Sequence, residues 1–437
     1  MKYAIEEKYY SINSELGLPN DIIDILASKR IVELYGDKFK FTYVGFITHE
    51  ETIIFVAPKI YDEEDISTEL VKKIRKVLKK ACRNNDSLGT DFIQSKHNKD
   101  YYGEIAVADY LISDYLNNGG YRKVVTKTEK SIERADDWKA TINAVFPLFS
   151  DETPIYPETY RKFLSNDKES EIVKLYYSIL SYFLSKYSLI LGYEGIAARK
   201  NRVVTPPFID KRKQKYYCNM INNELSNTFR DRDISVLKAL RYLFKKENIY
   251  NQKNISLYGT IKFDKVWEKC LQSVFDDESK NYAQYLPNPI WKSAGGAPVT
   301  NDLNQMQTDI VHRVDDSLLL MDAKYYSIKL TNSGVAGNPG SYDIVKQYVY
   351  QIALEKGTAK QVGINALIFP IKRITNDYEY SIFGTVSLPL FKCKDILCIY
   401  YSADYVFDRF LFGKKYTIDE YRTLIDSADS FYSDHSK

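Results

Sequence analysis

The sequence predicts an α/β protein, α+β overall, with a C-terminal region in which one mixed sheet is flanked by helices, behind a mixed α+β N-terminal region. Two observations predict this. After about residue 255 a helical run is followed by two strand runs joined by a tight turn, a glycine-rich loop, a second helical run and three more strand runs, the order expected when helices cover a sheet. Before that point hairpin and helix patterns mix without such alternation. The 437 residues exceed the roughly 100–200 of an ordinary domain and suggest two to three. The regions are placed at 1–250 and 255–437.

Hydrophobic residues make up 44% of the chain and charged residues 27%, with 38 Tyr, which excludes a wholly disordered chain. Lys and Arg number 61 against 58 Asp and Glu, a net charge of +3 that excludes a protein holding nucleic acid by bulk charge alone. An anionic partner must be met by a local patch. Five Cys without a CxxC spacing and four scattered His predict neither a disulfide framework nor a zinc module. The N-terminus has acidic and polar residues where a signal peptide is apolar, and no apolar run nears the ~18–20 residues of a membrane span. The chain is expected to be soluble, reduced and cytoplasmic.

Along the chain, two β-rich runs flank the polar break Thr48–Thr52 and predict a hairpin within 40–60. Next, acids precede bases in a run with Ile66, Leu70, Val71, Ile74, Leu78 and Ala81 at helical spacing, which predicts a capped amphipathic helix. Its basic residues (Lys72, Lys73, Lys76, Lys79, Lys80, Arg83) form a solvated face or, alternatively, touch phosphate. A helix is expected over 100–118, stopped by Gly119-Gly120, with others at 169–190 and 230–247. Residues 197–215 carry seven bases and one acid around a Pro-Pro break, equally a DNA contact or a solvated loop.

The chemistry lies after the boundary. Two strand runs, TDIVHRV and SLLLMDAKYYS, are separated by Asp315-Asp316, a pair suited to a tight hairpin turn. Asp309 is expected on the first strand. Asp322 and Lys324 are two apart on the second, hence on one face. Two carboxylates side by side repel each other's ionisation unless a cation compensates. Magnesium takes hard oxygen ligands, usually one or two carboxylates with water and phosphate, and so suits the set. Such a metal with a nearby lysine fits hydrolytic phosphodiester chemistry. Glu268, on a preceding helix, is a candidate third acid and the Ala323 carbonyl a further oxygen. A following helix presents Gln347 and Tyr350, with Lys346 and Gln351. His312 falls on the opposite strand face from Asp309 and is expected to be packed or on the surface. Cys393 and Cys398 are expected in the core, and the Gly-rich 334–341 as a mobile connection. No phosphate-binding loop of the GxxxxGK[ST] type is present.

Asp309, Asp322, Ala323 and Lys324 resemble the PD-(D/E)XK nuclease motif, with Thr308 where a proline is often found. VGFITHEETIIFVAPKIY, WKATI at 138–142, YGTIKFDKVWE at 258–268, LPNPIW at 286–291 and DIVKQYVYQ extend the likeness from about 40 to about 410. Together they resemble the LlaJI-type restriction endonuclease family, akin to McrC-like nuclease subunits of multi-subunit Type II restriction systems of the LlaJI or BsuMI kind. The resemblance implies a PD-(D/E)XK fold over 255–437 and magnesium-dependent cleavage of double-stranded DNA. It implies metal binding by Asp309, Asp322 and Glu268, with Lys324 and Gln347 as catalytic residues. Its implied partners are an McrB-like GTPase subunit, which would supply the absent phosphate-binding loop, and cognate cytosine methyltransferases. The 1–250 region would serve subunit docking or DNA guidance, docking falling to the 40–60 hairpin and its helix. Two alternatives are a repair or recombination nuclease and a catalytically silent DNA-binding scaffold.

Overall fold

The computed structural model of the protein describes residues 1–12, 14, 16–49, 52–83, 104–131, 137–167, 169–197, 213–244, 255–287, 290–292, 294, 298–300, 306–326, 328–331, 334–374 and 379–435. The chain forms two compact units, one made of residues 1–99 with 253–437 and the other of 100–252. A division at 250 therefore does not describe the molecule. The first 99 residues pack with the C-terminal region because a strand after residue 253 completes their sheet.

In the first unit the elements that position the site are, in chain order, β1 (Lys2–Ile5), β2 (Val44–His49), β3 (Thr52–Ala57), α1 (Thr68–Arg83), β4 (Ile255–Thr260), α2 (Phe263–Val274), β5 (Ile310–Val314), β6 (Ser317–Ala323), α3 (Ser341–Thr358), β7 (Gln361–Ile371), β8 (Tyr380–Val386), β9 (Ile396–Ser402), α4 (Ala403–Phe412) and α5 (Ile418–His435). The strands β1, β3, β2 and β4 form one sheet in that order. The expected hairpin is there, β2 pairing antiparallel with β3 from Gly45↔Val56 to His49↔Thr52. Its strands are buried at Val44, Phe46, Ile47, Phe55 and Val56, so they form a core rather than a free docking surface. The pairing of β4 with β2 sets Gly259 opposite Gly45. The backbones approach there so closely that a Cβ on Gly259 would drive into Val44 O and the Tyr43 hydroxyl.

The helix expected after residue 62 starts later, since Ser67 Oγ accepts from Leu70 N at 3.2 Å and begins α1, while the acids Glu63–Asp65 form a separate 3-10 turn. Nor is its basic side simply a solvated face. Lys73 Nζ reaches Asp404 and Asp408 at 3.3 and 3.0 Å, and Lys80 Nζ donates to Phe410 O, so two of its lysines fasten α1 to α4.

The second sheet holds five strands in the order β5, β6, β7, β9, β8. It is mixed: β5 with β6 and β8 with β9 run antiparallel, while β6 with β7 and β7 with β9 run parallel. Parallel neighbours need a crossover, and α3 supplies it between β6 and β7. One face of α3 closes the core, Tyr350 and Leu354 packing with Val311, Leu318, Leu320 and Val362. A turn earlier, Ile344 and Tyr348 join Leu367, Phe369, Ile396 and Cys398, with Cys393 at the edge. Helix α2 buries Phe263, Val266, Trp267, Cys270, Leu271 and Val274, one stripe at helical spacing. The Gly-rich 334–341 is more ordered than a plain connection, since Gly334–Ala336 pairs with Lys329–Thr331.

The second unit holds helices at Glu104–Asn118, Glu171–Leu191 and Asp231–Phe244, close to the predicted spans, a further helix at Gln214–Ser226 that was not predicted, and a long ribbon of Val124–Ser131 with Thr159–Asn166. Gly119 ends the first helix at φ +78°, and the Arg232 guanidinium grips the Asp114 carboxylate at 3.0 and 2.8 Å. Of the basic stretch 197–215, residues 198–212 lie outside the described residues. Among the described residues no helix is long and apolar enough to cross a membrane.

Gly259→Ala is expected to destabilise the protein by ~1–3 kcal/mol, since the added methyl must push two paired backbones apart. Urea unfolding checks this, and an unchanged midpoint would show that the β2–β4 contact can relax.

Candidate active site

The site begins at the β5–β6 hairpin. Asp315 takes φ +50° in the two-residue turn, and the register runs from Val314↔Ser317 to Ile310↔Met321. One step further, Asp309 faces Asp322. Asp309 lies at the bend just before β5 rather than on the strand, and its Oδ2 accepts from Ala323 N at 2.9 Å. Gln272 of α2 fixes the same bend by donating to Asp309 O at 3.0 Å. Lys324 N donates to Ile368 O at 2.8 Å, prolonging the parallel ladder past the end of β6. Thus Leu318, Leu320, Asp322 and Lys324 share one face, apolar in its first half and charged in its second.

The predicted strand pair meets as expected, with Lys324 Nζ 2.5 Å from Asp322 Oδ2. Asp322 is only 4% exposed, so this ammonium is what its Oδ2 has in place of water. Lys324 is also held at 2.8 Å by Asp343 Oδ1 on the first turn of α3. Burial disfavours the Lys324 ammonium, but Asp322 and Asp343 outweigh it and hold its pKa above the ordinary lysine value. Lys324 is therefore a fixed cation. Asp309 is the opposite case: burial, then the charges of Asp322 and Glu268, push its carboxyl up to about 7.

Helix α3 covers this face with a row of its own. Leu354 and Tyr350 pack on Leu318 and Leu320; one turn on, Lys346 comes beside the acids, and Asp343 reaches Lys324. The residue that α3 brings to the cleft is thus Lys346. Gln347 is 2% exposed and points into the interior with its Nε2 unpartnered, and it does not line the cleft. Tyr350 is core, its hydroxyl donating to Gln307 O at 2.5 Å, and Gln351 accepts from Asn365 Nδ2 at 2.8 Å. His312 stacks on Tyr421, centroids 4.4 Å apart, away from the acids.

Glu268 lines the same cleft, of about 380 Å³, but its Oε2 is paired with Lys265 Nζ at 2.6 Å. Among the described residues no three His, Cys, Asp or Glu side chains gather closely enough to hold a metal ion. The carboxylates that meet are Asp309 and Asp322. The N-terminal segment forms another wall: Tyr325 OH donates to Glu6 Oε2 at 2.7 Å, and Lys59 Nζ, 4.8 Å from the Tyr325 ring centroid, pairs with Glu7 at 2.9 Å. The sequence signal for Lys265 was its i,i+3 place before Glu268. For Glu6, which meets Tyr325 across 319 positions, no local signal exists.

Residues 43–404 match the model of the LlaJI restriction endonuclease family. The chain belongs to that family. The chain is 30% identical over 449 residues to the Type II restriction enzyme BsuMI component YdjA of Bacillus subtilis (strain 168), covering 100% of this chain and 94% of that protein. Family and relative place it among restriction-system components. Among solved structures it is similar to a half-complex from a tetradecameric assembly of Thermococcus gammatolerans McrB AAA+ hexamers with bound McrC, with a TM-score of 0.40 and 15% identity over 94% of this chain and 99% of that one. A second is the Thermococcus gammatolerans McrBC complex, with a TM-score of 0.30 and 13% identity over 62% and 85%.

The Asp309 carboxyl keeps its proton to about pH 7 in the folded chain, whereas an unfolded Asp ionises near 4. Between these values the folded state binds more protons, so stability falls as pH rises through that window and levels off above it. Asp309→Asn removes this loss. In chelator, its melting temperature is expected to fall less than the wild type's between pH 5 and 8; parallel profiles would refute the uncompensated carboxylate.

Proposed function

We propose that the chain is the DNA-cleaving subunit of a restriction–modification system, hydrolysing phosphodiester bonds of double-stranded DNA in the cytoplasm as part of a Type II, site-specific endonuclease. The β5–β6–α3–β7 core would be that of a PD-(D/E)XK nuclease. The observation that carries the proposal is the meeting of Asp309, Asp322 and Lys324 at the wall of one cleft.

The residues fit a hard divalent cation. Asp322 is buried with its Oδ2 facing the Lys324 ammonium that Asp343 shares, and Asp309 is a carboxyl whose ionisation its surroundings resist. Both conditions are relieved by positive charge, and two carboxylates are a usual protein share of a magnesium site. Asp309 and Asp322 would hold the ion, with the Ala323 carbonyl and Glu268 adjacent, Glu268 once freed from Lys265. Bound there, magnesium would polarise the phosphodiester and lower the pKa of a water. Lys324 stays protonated between Asp322 and Asp343, so its role would be to orient water and balance developing charge rather than to remove a proton. Gln347, which the resemblance implies is catalytic, would need a change of side-chain direction to serve there.

The relative's name describes it as one component of an enzyme, which supports a multi-subunit assembly here. An McrB-like GTPase subunit would drive it, and cognate cytosine methyltransferases would protect host sites.

Asp322→Ala or Lys324→Ala is expected to reduce cleavage of double-stranded DNA at least ~10²-fold while circular dichroism stays unchanged. Undiminished cleavage by either variant would overturn the site. A net charge of +3 further predicts weak duplex binding by the isolated chain, lost steeply between about 50 and 200 mM salt. Tight, salt-insensitive binding in a fluorescence titration would contradict that.

A further inference from the structure

Four lysines line the acidic cleft, and they are not equivalent. Lys59 Nζ is 2.9 Å from Glu7, Lys265 Nζ is 2.6 Å from Glu268, and Lys324 Nζ is clamped at 2.5 and 2.8 Å by Asp322 and Asp343. Among the described residues Lys346 makes no such ion pair. Its ammonium stands 5.3 Å from the Tyr350 ring centroid, in the cleft that Asp309 and Asp322 also line. It is partly buried, so it gives up hydration without the carboxylate partner each of the other three has. Burial alone would lower its pKa, yet Tyr350, Asp322 and Asp309 together hold it raised.

A cation that faces a carboxylate pair without touching either one is placed for an anion that enters between them. We propose that Lys346 is a further catalytic residue, binding a non-bridging oxygen of the DNA phosphate under attack. This rests on the nuclease reading above and adds a residue to it. The place of Lys346 explains why: Leu354 and Tyr350 fix α3 on Leu318 and Leu320, so the next turn delivers Lys346 to the cleft that Asp322 lines. In the hydrolysis the water oxygen bonds to phosphorus, and the ester P–O bond breaks with its electron pair on the leaving oxygen. That oxygen takes a proton from solvent, matching the one the attacking water loses. Negative charge accumulates on the non-bridging oxygens meanwhile, and Lys346 would stabilise it there.

The competing role for Lys346 is structural, to balance Asp309 and Asp322 until a metal arrives. Lys346→Met and Lys346→Arg in the full chain, assayed with its partner subunits, separate the two. Duplex DNA affinity is measured against salt in chelator, and cleavage against magnesium concentration. The proposal expects Lys346→Met to reduce the slope of log affinity against log salt by about one. Cleavage at saturating magnesium should fall ~10²-fold, the half-saturating magnesium concentration should stay unchanged, and Lys346→Arg should restore the slope and part of the rate. An unchanged slope, an unchanged rate, or a rate recovered by added magnesium would each overturn the proposal. Wild-type protein that cleaves no DNA would overturn the nuclease reading and this role with it. A cleaving wild type matched by Lys346→Met would overturn this assignment alone.

Discussion

Two carboxylates that face each other at the end of an otherwise apolar hairpin constrain everything around them. Asp309 and Asp322 are delivered by a ladder whose other partners are Ile310, Met321, Val311 and Leu320, so water cannot fully solvate them. Their mutual repulsion must be met by cations or by protons. The chain uses both: Lys324 is tied to Asp322, and Asp309 favours its proton. The compensation is incomplete, since the one ammonium of Lys324 is shared between Asp322 and Asp343. A site that leaves charge to be balanced can accept a ligand that balances it.

The parallel pairing of β6 and β7 makes that arrangement possible. It demands a crossover helix, and a helix running back over the sheet must lie antiparallel to the strands. As β6 rises from Leu318 to Lys324, α3 descends from Asp343 to Leu354. Apolar rows meet first, and the same register then brings Lys346 to the cleft lined by Asp322 and sets Asp343 against Lys324. Packing free energy in the core thus fixes the angle and translation of the charged end. The N-terminal segment adds a wall through Glu6, whose carboxylate accepts from both Tyr325 and the Lys59 amide.

Near-neutral net charge is compatible with this chemistry because the relevant charges are local. Several lysines are consumed by structure, Lys73 and Lys80 in fastening α1 to α4 and Lys59 in holding Glu7. Counting bases on a helix overstates what is free to meet phosphate. A solvent-facing position in a helical wheel can still lie against a helix from a distant part of the chain.

Local pattern in the sequence determined the elements and the motif. The Asp315-Asp316 turn, the apolar run before Asp322 and the spacing of two to Lys324 are short-range facts, and they fold as short-range physics requires. The helices at 104–118, 171–191 and 231–244 were legible for the same reason. What depends on long-range contact was not legible. The joining of residues 1–99 to 253–437 follows from β4 pairing with β2, and Glu6 enters the cleft only because the fold brings it to Tyr325. The choice of Lys346 over Gln347 turned on a rotation of about 100° between neighbouring helix positions, which periodicity cannot resolve until the packed face is known. Sequence therefore named the acids and the lysine, while tertiary packing decided which of the charges around them are already paired.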